Sequence, residues 1–307
     1  MMGLIGLLSG GDERKGKEVE TGEDKIIYTI KLAILSQQRQ DFKKAEQLFH
    51  VALRMAQDLQ HRQAQVYIID EMANNAYELG DLRKAEKLFK ETIKNLLSDG
   101  MHQDDLAIIH ISGKLASLYA HFKEDVKAFE GFRFCIDRLK SKVDNGADDF
   151  DTLALYSLIL LWFGEFEYGR RFLVQSLDLF KKSHEISLRI NGPYHHHSLH
   201  LLNNMAGSYS LLNRLEEAVQ CLQEAIKIVR ENSLDDGEKH IPYYYINLAN
   251  IYLTQLNNFN PEREDILERA LKSCKEAIRR ARQVGDKEAL NEANKCMATI
   301  KESKFSQ

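Results

Sequence analysis

The chain has 307 residues, 44% hydrophobic and 29% charged, with a formal net charge of −4. That balance excludes the basic face nucleic acid requires and the polybasic segment an anionic membrane surface requires. With only 3 Pro and 17 Gly, it also excludes a turn-rich β fold and makes long helices the default.

In chain order, residues 1–24 read as a flexible leader. Residues 1–8 (MMGLIGLL) form a short apolar run, followed by a stretch rich in Gly, Glu, Lys and Asp. The run is too short to span a membrane and lacks the basic start of a secretory signal. It is either a loose start or the tail of a longer apolar segment.

Residues 25–285 carry one frame six times. Small residues stand at Ala33, Ala73, Ala116, Gly164, Ala206 and Ala249. Twelve residues on come Ala45, Ala85, Ala128, Ser176 and Ala218; in the sixth copy Ala270 is displaced by a nine-residue insertion. Four after each of these come Phe49, Phe89, Phe132, Phe180, Leu222 and Cys274, then three later Ala52, Thr92, Cys135, Ser183, Ala225 and Ala277. Two antiparallel helices joined by a short turn approach closely where they cross. A small residue on each helix permits the approach, and a large one beside it fills the remaining space. Gly80-Asp81 and Asn213-Arg214 mark such turns. Each pair leaves an apolar face that only the next pair can cover, so the copies stack. The expectation is an all-α, right-handed tetratricopeptide-repeat solenoid of about six helix pairs. A last amphipathic helix from 286, with Leu290, Ala293, Met297 and Ile300 on one side, begins the cap and tail of residues 286–307.

Catalytic chemistry finds no support. Glycines fall in turns and never form a GxGxxG after a strand, and HExxH and GxSxG are absent. The chain therefore reads as no enzyme and as having no cofactor. Histidines cluster at His195, His196, His197 and His200, with His196 and His200 one helical turn apart. No Cys, Asp or Glu beside them completes a tetrahedral set, so the segment reads as the polar start of a helix and the metal expectation is none. Asp148, Asp149 and Asp151, and Asp235 with Asp236, read as helix-start carboxylates. The four cysteines are scattered with no CxxC pair and read as free packing thiols in a reducing compartment. Trp162, the one tryptophan, reads as core.

What remains is the inner face formed by the first helix of each pair. The residue two before each first anchor points into it: Lys31, Glu71, Lys114, Trp162, Asn204 and Asn247. Asn203, Asn250 and Tyr243 neighbour the last two. An asparagine amide matches the paired N–H and C=O of an extended peptide. The expected peptide groove is therefore Asn203, Asn204, Asn247, Asn250, Tyr243 and Lys114.

The anchor spacing of 40, 43, 48, 42 and 43 residues exceeds the usual 34 and resembles kinesin light chain repeats, where asparagines at the inner position hold peptide backbone. The Lys/Arg–Asn clamp of co-chaperones is not reproduced, with Glu71 where that pattern wants Asn. Met72-Ala73-Asn74, residues 84–90 (KAEKLFK), residues 96–105 (LLSDGMHQDD), residues 107–112 (AIIHIS) and residues 114–117 (KLAS) resemble the mitochondrial tetratricopeptide repeat protein 19 family. The resemblance implies a protein of the inner mitochondrial membrane on its matrix side. It implies assembly and upkeep of respiratory complex III, with complex III subunits, including the Rieske iron–sulfur protein, as partners. Membrane association would then run through partners or a further N-terminal segment. The alternative is a cytoplasmic peptide or cargo adaptor of the kinesin light chain kind.

Overall fold

The computed structural model describes residues 21–232, 235–256 and 262–305. The first twenty residues, with the apolar run, lie outside them, as does the centre of the insertion at 257–261. Among the described residues there are thirteen α-helices and no strand. They fall into two compact units divided after Ala147.

The first unit holds α1 (Gly22–Gln38), α2 (Phe42–Asp58), α3 (Arg62–Glu78), α4 (Leu82–Ser98), α5 (Leu106–His121) and α6 (Asp125–Asp144). The second holds α7 (Phe150–Gly169), α8 (Leu173–Asn191), α9 (His196–Leu211), α10 (Leu215–Asn232), α11 (Asp235–Thr254), α12 (Arg263–Val284) and α13 (Lys287–Phe305). The six expected pairs are α1/α2 through α11/α12, and α13 packs on α12 and α11. Helix α1 starts at Gly22, inside the expected leader. Thr21 Oγ1 accepts from the Asp24 backbone N–H and Asp24 returns a carboxylate to the Thr21 N–H, a capping box that fixes the start there.

The small-residue frame is the packing frame. All twelve anchors are buried, and Phe49, Phe89, Phe132, Phe180, Leu222 and Cys274 are at most 1% exposed. Gly164, in the most divergent copy, shows why the position must be small. A Cβ built on it would stand 2.5 Å from the Phe180 ring. Five of the pair turns have three residues, and each central residue has positive φ: Gln40, Gly80, Lys123, Arg171 and Asn213. Only Gly80 and Asn213 are residue types that enter this region readily. Asp41 and Asp81 cap α2 and α4 by accepting from backbone N–H groups, whereas α6 and α8 start at Glu124 and Phe172 without a side-chain cap. Asp149 caps α7, as its position before a helix predicted, and the backbone N–H of Thr152 holds its carboxyl below the usual range.

In the second unit the helix crossings carry hydroxyls as well as methyls. Ser157 on α7 bonds Ser183 on α8 (Oγ to Oγ 2.9 Å), Ser176 on α8 meets Ser208 on α9 (3.3 Å), and Ser187 meets Ser198 (2.8 Å). All six are buried. The four cysteines are free and buried, and among the described residues no helix is long and apolar enough to cross a membrane.

Candidate functional site

Within the second unit, α7, α9 and α11 are the first helices of successive pairs, and α9 touches both neighbours. Gly164, Ala206 and Ala249 set the crossings of these helices with their partners. That fixes the opposite face of each, where side chains recur at i, i+3, i+4 and i+7. These faces enclose a cavity of about 300 Å³. Helix α7 contributes Glu165 and Tyr168, and α8 contributes Phe180. Helix α9 gives Asn203, Asn204, Gly207, Ser210 and Leu211, and α11 gives Asn247, Asn250, Ile251 and Thr254. Gly207 lets Tyr168 approach α9 closely: a Cβ on it would come within 3.3 Å of Tyr168 Oη.

Its polar groups cross from helix to helix. Asn247 Nδ2 donates to Asn203 Oδ1 at 2.8 Å, joining α11 to α9. Asn204 Nδ2 donates to Glu165 Oε1 at 3.3 Å, and His200 Nε2 lies 3.2 Å from the same oxygen, joining α9 to α7. The first of these bonds uses one N–H and one lone pair of an amide pair that has four N–H groups and four lone pairs to offer. The asparagines are half-buried or exposed, so the remaining capacity faces outward. Chemically the surface can exchange hydrogen bonds with an extended backbone along α9 and α11 while apolar walls accept a side chain.

Of the six expected groove residues, Asn203, Asn204, Asn247 and Asn250 line this cavity. Tyr243 does not. It lies one turn before Asn247, toward the start of α11, and its Oη donates to Asp286 Oδ2 at 3.0 Å, just before α13. Burial and the Asp286 carboxylate push its phenol up to about 12. Lys114 belongs to the first unit. Its Nζ donates to Asn74 Oδ1 at 2.9 Å and pairs with Asp70 Oδ2 at 3.5 Å. Glu71, another inner-face position, is buried, and burial followed by the neighbouring Asp70 raises its pKa. Lys31 is exposed, and Trp162 packs half-buried against the second unit's core. Sequence reasoning missed Glu165, Tyr168, Gly207, Ser210, Leu211, Ile251 and Thr254. The signal was present: stepping three, four and seven residues along the helix from Asn247 gives Asn250, Ile251 and Thr254, and the same steps from Asn203 and Asn204 reach Gly207, Ser210 and Leu211.

The histidines diverge. His195 Nδ1 caps α9 by accepting from the His197 N–H at 3.2 Å, and His196 is exposed and stacked on it. His197 Nε2 meets Ser157 Oγ at 2.9 Å, while His200 faces Glu165. Burial, then the neighbouring histidines, lower the His197 pKa to about 4, and Glu165 opposes the shift. A larger depression of about 670 Å³ lies in the first unit around Asp104, Asp137, Arg138 and Lys142. Its principal charges answer each other, with Arg138 pairing Asp104 at 3.2 Å, so it offers a ligand less than the asparagine cavity does.

Comparison with known proteins gives this architecture relatives. The family described as Tetratricopeptide repeat matches residues 151–231, and that described as Anaphase-promoting complex subunit 5 matches residues 263–304. The chain is 33% identical over 297 residues to the mitochondrial tetratricopeptide repeat protein 19 homolog of Drosophila melanogaster, covering 97% of this chain and 76% of that protein. It is 32% identical to the mitochondrial tetratricopeptide repeat protein 19 of Homo sapiens, covering 85% of this chain and 70% of that protein. Among solved structures it is similar to BtubC from P. vanneervenii (18% identity, TM-score 0.60, 87% of this chain and 93% of that one). It is also similar to a kinesin light chain-type repeat protein of Podosopora anserina (13% identity, TM-score 0.53, 70% and 99%). At these identities the structures speak to fold alone.

Proposed function

The chain belongs to the tetratricopeptide repeat protein 19 family, and from that premise we propose that it is a non-enzymatic protein-binding scaffold. It serves assembly and upkeep of mitochondrial respiratory complex III at the matrix side of the inner membrane, where it helps clear fragments of the Rieske iron–sulfur subunit. The observation that carries the binding role is the asparagine-lined cavity on α7, α9 and α11, whose outward amide groups suit an extended polypeptide. The mitochondrial names of its relatives support the location.

The test is the double change Asn204→Ala with Asn247→Ala in tagged full-length protein, with recovery of complex III subunits as the readout. Each lost amide removes about 0.5–1.5 kcal/mol, so binding weakens roughly ten- to a hundredfold. Both side chains are half-buried and each gives up one cross-helix hydrogen bond, so the melting temperature falls modestly while the fold is retained. Undiminished recovery from a folded variant refutes the groove. A second reading, a cytosolic cargo adaptor, is favoured by the long repeat spacing and by Asn203-Asn204, which resemble kinesin light chain repeats. Fractionation separates the two, since recovery in cytosol rather than mitochondrial membranes selects the adaptor.

A further inference from the structure

The two ends of the cavity differ in charge. Along α9 and α11 its polar groups are neutral amides and hydroxyls, whereas at the α7 end stands Glu165, the single charged residue among those lining it. The Glu165 side chain is 46% exposed. Asn204 and His200 both hold its Oε1. Two contacts on one oxygen orient the carboxylate and leave it capacity for another donor. Beside it, the space over Gly207 is walled by Tyr168, Leu211 and Ile251. The cavity as a whole measures about 300 Å³, enough for an aliphatic side chain against these walls.

We propose that the groove selects an extended segment in which a lysine or arginine lies close to an aliphatic residue. The cation meets Glu165, the aliphatic side chain fills the space over Gly207, and the backbone runs along Asn203 and Asn247. Charge complementarity sets both partner class and register, because only one placement of the segment satisfies the carboxylate and the apolar space together. The inference rests on the groove binding polypeptide and adds which polypeptide it takes.

A display library of random ten-residue segments is selected against the full chain, and enriched segments are titrated against variants. The expected result is enrichment of Lys or Arg near Leu, Ile, Val or Met. Glu165→Gln then weakens those segments about two- to fivefold, in keeping with a half-exposed ion pair. Glu165→Lys shifts selection toward acidic segments. Gly207→Val, which fills the space, abolishes binding; because its β-branch also strains a helix, Gly207→Ser serves beside it as the milder block. Glu165→Gln, at an exposed rim, leaves folding unchanged. Segments sensitive to Asn203→Ala with Asn247→Ala but without basic residues, and indifferent to Glu165→Gln, overturn this inference and leave the groove standing. Segments indifferent to every groove change, or no enrichment at all, overturn both.

Discussion

Replacing Gly164 by alanine sets two effects of known sign against each other. In a helix interior alanine is favoured over glycine by about 1 kcal/mol, so local propensity alone makes the variant more stable. The structure reverses this. The new methyl lands 2.5 Å and 2.7 Å from two carbons of the Phe180 ring, where carbon pairs prefer about 3.5–4.0 Å. Phe180 is 1% exposed and belongs to the core cluster that holds Leu161 and Leu177, so relief requires its ring to tilt off its place toward the cavity it borders, or the α7/α8 crossing to open. Such overpacking costs about 1–3 kcal/mol. Gly169→Ala, at the last residue of the same helix, meets no heavy atom within 4 Å and serves as the reference without a clash. The expectation is that Gly164→Ala lies about 1–3 kcal/mol below Gly169→Ala in urea denaturation followed by circular dichroism, with unchanged slopes. Phe180→Leu should recover part of the loss in the Gly164→Ala background, as coupled neighbours do. Coincident midpoints for the two alanine variants, or a higher midpoint for Gly164→Ala, would refute the close-crossing account of the whole frame.

Acid should destabilise the protein through His197. Its imidazole stays neutral in the fold down to about pH 4, whereas unfolded it takes a proton near 6.5, so between those values the unfolded chain binds more protons and stability falls with pH. His197 alone contributes about 1–2 kcal/mol to the loss from pH 7 to pH 5. His197→Gln should flatten part of it, with His110, pushed down to about 3 by burial and Lys114, supplying a further part; equal pH slopes for wild type and variant would exclude the assignment. The Cys135 and Cys221 thiols should be nearly inert in the native state, since burial raises Cys135 to about 12 and Cys221 to about 11. Titration with a chromogenic disulfide at pH 8 should show reaction about a hundredfold slower than after denaturation, with Cys221, 8% exposed, leading. Rapid native reaction at Cys135 would contradict its packing.

The frame was legible because close helix crossings tolerate few residue types, and all twelve anchors report the same constraint. The ends of elements were less so. A left-handed turn residue is visible at Gly80, but Lys123 and Arg171 take the same conformation under pressure from the helices on either side, which no local preference announces. The groove was half legible. Counting back from the anchors puts Asn204 and Asn247 on the face that lines the cavity, since the crossing fixes helix rotation. It misassigns Tyr243 because rotation says nothing of position along the axis. The phenol sits about three turns before Thr254 on α11, within reach of Asp286, a residue 43 positions away. Glu165 was missed because a lone glutamate next to a glycine reads as surface until α9 brings His200 and Asn204 against it.

The hydroxyl pairs of the second unit bear on how a chain of near-identical building blocks finds its own order. Repeats that share one apolar frame are able to dock on the wrong copy, the characteristic misassembly of such chains. Where α8 presents Ser176 and Ser183, α4 presents Ala85 and Thr92, and α10 presents Ala218 and Ala225. A helix pair slipped onto the wrong neighbour would therefore set buried hydroxyls against methyl groups, at about 1–3 kcal/mol for each one left unmet. Two such pairs, Ser176 with Ser208 and Ser187 with Ser198, join α8 to α9 and act as an address written into an otherwise repetitive seam, readable only by the intended neighbour.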